Sequence, residues 1–298
     1  MKIISEQLCL LFLFVFYGYI LGKSRRIKQE HTQILSGLET YLFLPCTIFR
    51  AFSNSFQVEN LRTYYPLILI SAGVLGVLLC GSYFIAGALG RDGYEKNVFR
   101  YSIIVSNYGY MGYALAEGLY GTDGLLRMIL FSIPFSFYIY TYGFCMLTGR
   151  EFSLKKLFHP VTMSIFIGIV FGLSGLSLPA VAETFIAKSA ACMAPVSMLL
   201  AGITMSEFDA KELISDKRIY LISVVRLVLV PGMVLLFLKP FFSETVVRTA
   251  ILLCAMPCGM NTIVFPRLVG QDCKAGAKLA FVSSILCIVS IPVLLNLI

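Results

Sequence analysis

Two short stretches place residues able to do chemistry inside otherwise apolar runs. They are Ser106-Asn-Tyr-Gly-Tyr-Met-Gly112, within Val98–Tyr120, and Met256-Pro-Cys-Gly-Met-Asn261, within Thr249–Val269. A side-chain amide surrounded by hydrocarbon needs hydrogen-bond partners, and each glycine weakens a helix by about 1 kcal/mol relative to alanine. Pro257 removes a backbone donor and crowds the turn before it. Asn107, Gly109 and Gly112 in the first stretch, and Pro257, Gly259 and Asn261 in the second, therefore predict two interrupted helices. An interruption leaves unpaired N–H groups at the start of one half-helix and unpaired C=O groups at the end of the other. The N–H end favours an anion, and the carbonyl end favours a cation or proton donor. Asn107 and Asn261 add donors and acceptors without fixed charge. That chemistry suits a carboxylate-bearing ligand; with equal weight, the asparagines only satisfy the backbone groups set free by the break. Tyr108, Tyr110 and Tyr113 would flank an apolar ligand body or, more commonly, pack between helices.

Ionisable residues within apolar spans are costly and therefore suggest function. Arg226 lies eight residues beyond Arg218, about 12 Å inward at 1.5 Å per residue. Glu39 lies eight residues beyond His31 and reaches a similar depth from the same side. Three uses stay open: an ion pair between the two, Arg226 on a ligand carboxylate with Glu39 taking up a proton, or Arg226 bonded to backbone carbonyls at a break. Glu117 and Arg127 are expected to pair at the outer ends of adjacent spans, and Glu183 and Lys188 to reach outward. His31 and His159 read as interfacial residues. With two histidines and no clustered thiols or carboxylates, no metal site is expected.

The elements that must position these groups are apolar helices. The 298 residues are 58% hydrophobic and 13% charged, with mean hydropathy +0.85, whereas soluble domains run at about 45–50% apolar and about 25% charged. This is the composition of a protein that crosses the lipid bilayer many times. The +8 charge is spread over short loops, which speaks against nucleic acid as a partner. Nine cysteines, without a C-x-x-C and odd in number, give no full disulfide framework, and Cys254 and Cys258 read as small packing residues. Lys2 precedes an apolar run with no A-x-A-like site after it, so the run is expected to stay as the first span.

Runs near the roughly 20 residues that a span needs are Ile4–Leu21, Gln33–Phe52, Tyr65–Leu89, Val98–Tyr120, Leu125–Leu147, Val161–Leu178, Ala180–Met205, Ile219–Leu238, Thr249–Val269 and Ala275–Ile298. Ten alternating spans put sixteen Lys and Arg on one side and seven on the other, with Arg226 inside a span. By the positive-inside rule the rich side is cytoplasmic and both termini face outward, as expected for a protein of the cell (inner) membrane. Sliding the chain by 150 residues lays Phe16-x-Gly18-x-x-x-Gly22 on Phe166-x-Gly168-x-x-x-Gly172, Pro45 on Pro195, and Gly109 on Gly259. Two units, 1–150 and 151–298, with five spans each, must insert in opposite senses, the inverted-repeat plan of secondary transporters. Pro45 and Pro195 are expected to be structural helix breaks. The expected fold is therefore an all-α membrane protein of ten helices with crossed discontinuous helices in the fourth and ninth spans.

At these residues the chain resembles the auxin efflux carrier family of the bile-acid-transporter-like superfamily. Ser106-Asn-Tyr-Gly-Tyr-Met-Gly-Tyr-Ala-Leu115 with Gly118-Leu-Tyr-Gly121 is similar to the family's N-x-x-x-M/L-G-x-P-L…Y-G. Leu44-Pro-Cys-Thr-Ile-Phe49 resembles L-P-x-x-x-F, Arg226-Leu-Val-Leu-Val-Pro231 resembles R-L-x-x-x-P, and Met256-Pro257 with Ile291-Pro292 matches the C-terminal end. Ala114 stands where the family carries a crossover proline, so Asn107, Gly109 and Gly112 alone would hold that crossover open. Only Thr148–His159 joins the halves, as in compact bacterial members. The resemblance implies a scaffold of spans one, two, six and seven. The remaining six spans would form a core that moves against it like an elevator and carries a small organic anion. Plant members are thought to couple through an acid and a base in the third span, and Tyr65–Leu89 has neither.

The reading is a carrier for a mono- or dicarboxylate or an auxin-like weak acid, bound at Asn107, Gly109, Tyr110, Gly112, Pro257, Gly259 and Asn261. It would use no cofactor beyond a coupling proton or sodium ion, and a homodimer is compatible with it. An intramembrane enzyme would need paired aspartates, a G-x-S-x-G-like nucleophile or H-E-x-x-H, and none is present. The competing non-enzymatic reading is an ion channel, or a receptor without transport turnover.

Overall fold

Helices form wherever the apolar runs go on without a glycine–proline interruption, because hydrocarbon offers backbone groups no other partners. The computed structural model describes residues 2–27, 29–56, 61–151 and 160–298; His159 and most of the Thr148–His159 connection lie outside them. In chain order the first half holds α1 (Lys2–Lys23), α2 (Gln29–Leu38), α3 (Leu44–Ser55), α4 (Leu61–Leu89), α5 (Gly93–Ile104), α6 (Tyr113–Tyr138) and α7 (Phe144–Thr148). The second holds α8 (Pro160–Ser174), α9 (Ala180–Ser206), the short α10 (Ala210–Leu213), α11 (Lys217–Val224), α12 (Val230–Leu238), α13 (Glu244–Ala255), α14 (Asn261–Arg267) and α15 (Lys274–Asn296). Among the described residues there is no strand. Among the described residues, six helical segments are long and apolar enough to cross a membrane: Ile3–Lys23, Tyr64–Leu89, Tyr108–Thr148, Ala180–Ser206, Lys217–Leu238 and Lys274–Asn296. The other expected runs are helices that are shorter or interrupted.

Among the described residues, four π turns lead directly into the helix that follows: Glu39–Phe43, Tyr108–Gly112, Ile139–Gly143 and Val225–Leu229. Glu39–Phe43 and Val225–Leu229 directly precede helices with a proline in the first turn, Pro45 and Pro231, whose missing donors the widened turn absorbs. Here the structure corrects an expectation. Pro45 follows a π turn without interrupting the helical path from Gln29 to Ser55, and Pro195 sits inside an unbroken α9, so neither is a helix break. The real bend in the first half is at Gly121 (φ 67°, ψ −165°), where the fourth run meets the fifth; a side chain there would be strained. The sixth run ends at Ser174, four residues before Leu178, because Gly175 (φ 64°) turns out of the helix.

α1 packs along α9, and α3 along α8. The repeated glycines make these approaches. A Cβ on Gly18 or Gly22 would collide with Leu199 or Ser206 of α9; one on Gly168 would stand 2.7 Å from the Phe52 Cβ, and one on Gly172 would meet the Phe56 carbonyl. Gly202 is pressed equally hard on the Val15 carbonyl. Small residues that let backbones touch are the usual interface of membrane helices. The partners obey the repeat offset too: Leu199 corresponds to Phe49, which flanks Gly168, and Ser206 to Phe56.

Candidate functional site

Helix α5 stops at Ile104, and the chain becomes helical again at Tyr108; α13 stops at Ala255 and α14 starts at Asn261. The two intervening stretches run antiparallel and touch at a single bridge, Ser106 to Cys258. The Asn107 N–H donates to the Pro257 carbonyl at 2.7 Å, and the Gly259 N–H to the Val105 carbonyl at 3.3 Å. Side chains satisfy further groups: the Ser106 hydroxyl donates to the Leu253 carbonyl at 2.7 Å, and the Cys258 N–H donates to Ser283 Oγ at 2.9 Å.

Arg226, fully buried on the π turn before α12, closes the arrangement. Its Nη1 donates to the Ile103 carbonyl at 2.8 Å, while Nη2 and Nε donate to Leu253 and Met256 carbonyls at 3.3 Å. One guanidinium therefore reaches the C-terminal ends of both incoming half-helices, where the macrodipoles gather partial negative charge. Of the three uses left open for it, the geometry matches bonding to backbone carbonyls. Arg226 is not brought to Glu39. That residue, also fully buried, accepts from the Ser197 hydroxyl, and its Oε2 has no partner among the described residues.

The two asparagines sit differently. Asn261 donates from Nδ2 to the Tyr101 hydroxyl at 2.9 Å. Asn107, 5% exposed, takes the backbone N–H groups of Met111 and Gly112 on its own carbonyl, both at 3.1 Å. Its side-chain Oδ1 is buried without a partner among the described residues. Beside it lies a cavity of about 60 Å³, walled among others by Ser106, Tyr110, Tyr140, Gly259 and Asn261, with no charged residue in its lining. Nothing stands within 4 Å of where a Cβ of Gly109 would be, whereas one on Gly112 would press on Met128 at 2.7 Å. Tyr108 and Tyr113 share hydrogen bonds with Ser136 and Ser132 at 2.8 and 2.7 Å and pack against α6. Tyr110 instead walls both this cavity and a larger cleft of about 610 Å³, and Met260 does the same. The cleft runs past Ser36, Ser197 and Thr204 to Arg267 and Gln271.

Ion pairs gather at the chain reversals. At the end where the cleft opens, Arg267 meets Glu207 at 2.6 Å, and Arg218 meets Glu95 at 2.7 Å and Asp216 at 2.6 Å. Hydrogen bonds from Arg218 hold both of the latter carboxyls below their ordinary values. At the opposite end, Glu117 pairs with Arg50 at 3.1 Å and Arg127 with Asp123. The expected Glu117–Arg127 pair is thus replaced: the bend at Gly121 gives Arg127 a partner one helical turn away, and Glu117 turns to α3. Glu183 and Lys188 are exposed, as expected of outward-reaching side chains.

Sequence reasoning missed Ser197, Ser283, Tyr101 and Tyr140. A hydroxyl inside an apolar run is a weak signal, because it can always bond back to its own helix, as Ser223 does to Ile219.

A mostly helical, apolar chain with six membrane-length helices is a multi-pass membrane protein. The chain belongs to the membrane transport protein family, the auxin efflux carrier family, whose profile matches residues 3–156 and 148–295. An uncharacterized transporter of Methanothermobacter thermautotrophicus is similar at 24% identity, over 97% of this chain and 96% of its own length. One of Methanocaldococcus jannaschii is similar at 25% identity, over 94% of each chain.

Proposed function

We propose that this membrane transport protein is a secondary active carrier for a small organic anion, working by elevator-type alternating access. In this reading the chain crosses the membrane ten times as two inverted five-span units. The breaks at 105–107 and 256–260 are crossed discontinuous spans. Spans one, two, six and seven form the scaffold, supported by glycine contacts that recur between α1 and α9 and between α3 and α8 at the offset of 150. The other six spans form the moving core. Both termini lie outside, in the inner membrane of the cell.

The observation that carries the reading is the unpartnered Asn107 oxygen beside an uncharged cavity that shares its Tyr110 and Met260 walls with a wide cleft. A carboxylate there would be held by neutral donors: the free N–H groups opening the helix at Tyr108, the two asparagine amides, and hydroxyls. Arg226 is already used by carbonyls and would tie the crossing together instead of touching the anion. The cleft opens beside Arg267 and Gln271, on the side rich in Lys and Arg, so this is the inward-open arrangement. On the far side, Arg50–Glu117 joins scaffold to core and keeps the outer face shut.

The test is uptake into liposomes containing the purified protein, with labelled malate, acetate and indole-3-acetate as probes. Saturable uptake, lowered on the order of tenfold by Asn107→Ala, is the expected result. Current far above carrier turnover would instead make the protein a channel, and no uptake of any probe would remove the carrier reading.

A further inference from the structure

Glu39 is not needed for the anion site, yet it sits where the two parts of the molecule meet. The π turn Glu39–Phe43 brings its carboxyl to Ser197 in α9, so the contact joins two scaffold spans where they border the cleft facing the crossing. Ser197 itself lines the large cleft, as does Tyr110 from the helix crossing. One carboxyl oxygen takes the Ser197 hydroxyl; the other is buried with no donor among the described residues. The titratable and charged groups on the elements around it are His31 of α2, Tyr41 of its own turn, Cys46 and Arg50 of α3, Glu183, Lys188 and Cys192 of α9, and Tyr110. Of the cations, Arg50 is committed to Glu117, and none forms an ion pair with Glu39 among the described residues. A carboxylate sealed away with one hydroxyl and no cation is poorly compensated, whereas a neutral carboxyl tolerates the same surroundings.

We propose that Glu39 is a proton-binding site on the scaffold side of the seam, loaded from the cleft through the Ser197 hydroxyl, and that it makes movement of the core pH-dependent. The ligand is a proton. Ser197 passes its hydroxyl hydrogen to the carboxylate and recovers one from a hydronium ion or water in the cleft, so the net step is carboxylate plus H⁺ giving carboxylic acid. The neutral acid lets the crossing slide past the scaffold without meeting a bare buried charge on it; the charged form holds it back. The role in movement rests on the carrier reading above, while the proton site stands on geometry alone.

The test uses the full chain in two measurements. Infrared difference spectra of the purified protein between acidic and alkaline buffer should contain the carbonyl stretch of a protonated carboxyl that Glu39→Gln removes. Uptake of labelled malate or indole-3-acetate should vary several-fold with pH inside the liposome, and Glu39→Gln should flatten that profile. A band that survives Glu39→Gln, or a pH profile unchanged by it, overturns the proposal. Should Glu39→Gln not purify as a monodisperse protein, Ser197→Ala keeps the carboxyl but removes its donor; the band should shift, and an unmoved band overturns the assignment. The two readings fail separately: absence of uptake of every probe sinks the carrier, while the infrared band, which needs no flux, still decides whether Glu39 holds a proton.

Discussion

The two helix breaks share Gly109 and Gly259 at the repeat offset and little else in sequence, and they differ in how completely their polar groups are partnered. Around 256–260 almost every group is fastened: the Cys258 N–H on Ser283, the Pro257 carbonyl on Asn107, the Met256 carbonyl on Arg226, the Asn261 amide on Tyr101. Around 105–107 the backbone is equally well tied, but Asn107 Oδ1 is buried and unmatched among the described residues. A lone buried polar atom is an expense a protein seldom keeps without a use. In the carrier reading proposed above, the fully bonded second break would support the crossing and the first would present the ligand-facing amide; Arg226, the clamp, bonds carbonyls at both.

The largest expected effect comes from removing that clamp. Arg226→Met leaves three carbonyls at two helix ends without their donor, at a cost of at least about 3 kcal/mol. The thermal midpoint in detergent should fall by roughly 6–12 °C. Arg226→Lys should recover only part of it, because one ammonium lacks the fork that spans both ends. A midpoint unchanged in Arg226→Met would break the idea of a shared clamp.

Next in size are the scaffold glycines, which check that asymmetry is confined to the crossing. Gly18→Ala and Gly168→Ala should each lose about 1–3 kcal/mol by overpacking, Gly18→Ala the more, because its Cβ would stand 2.2 Å from the Leu199 carbonyl oxygen and that of Gly168 2.7 Å from the Phe52 Cβ. A loss in thermal unfolding at only one of the two sites would argue against equivalent units.

The asparagines test the contrast itself. Asn107→Ala should leave the midpoint nearly unchanged while lowering uptake on the order of tenfold, equivalent to about 1.4 kcal/mol. Asn261→Ala should cost about 1 kcal/mol of stability through the lost Tyr101 bond, with a smaller effect on uptake. The reverse pattern would exchange the roles of the two breaks.

The smallest effect concerns pH. Glu95 and Asp216 are held by Arg218 below their ordinary values of 4.5 and 3.8. Carboxyls lowered in the folded state bind fewer protons there than in the unfolded chain, so their contribution is complete above those ordinary values. It fades as pH falls through the lowered ones. Arg218→Gln should therefore reduce stability slightly at neutral pH and flatten its decline in acid, as read from thermal midpoints across a pH series.

Much of this was legible in the chain. Apolar runs gave the helices; Asn107 marked the first break, with Gly109 and Gly112 falling in the π turn just after it, and Pro257 and Gly259 marked the second. The offset of 150 picked out the glycines that press α1 on α9 and α3 on α8. Two prolines misled, because a π turn absorbs Pro45 and lipid-spanning α9 tolerates Pro195. For Arg226 the residue types left three uses open, and bonding to backbone carbonyls is the one that the geometry matches; it and Glu39 each sit on a π turn, whose extra residue turns a side chain away from the face of a regular helix.

The sequence by itself determined that the chain is built of apolar helices and where helix is locally costly, because glycine, proline and a side-chain amide change that cost whatever surrounds them. Only the tertiary structure decided which freed groups found partners. The carbonyls that Arg226 reaches, the hydroxyl on Glu39 and the missing donor at Asn107 depend on segments that lie far apart along the chain and meet only when the halves pack, and residue types alone carry no record of that meeting.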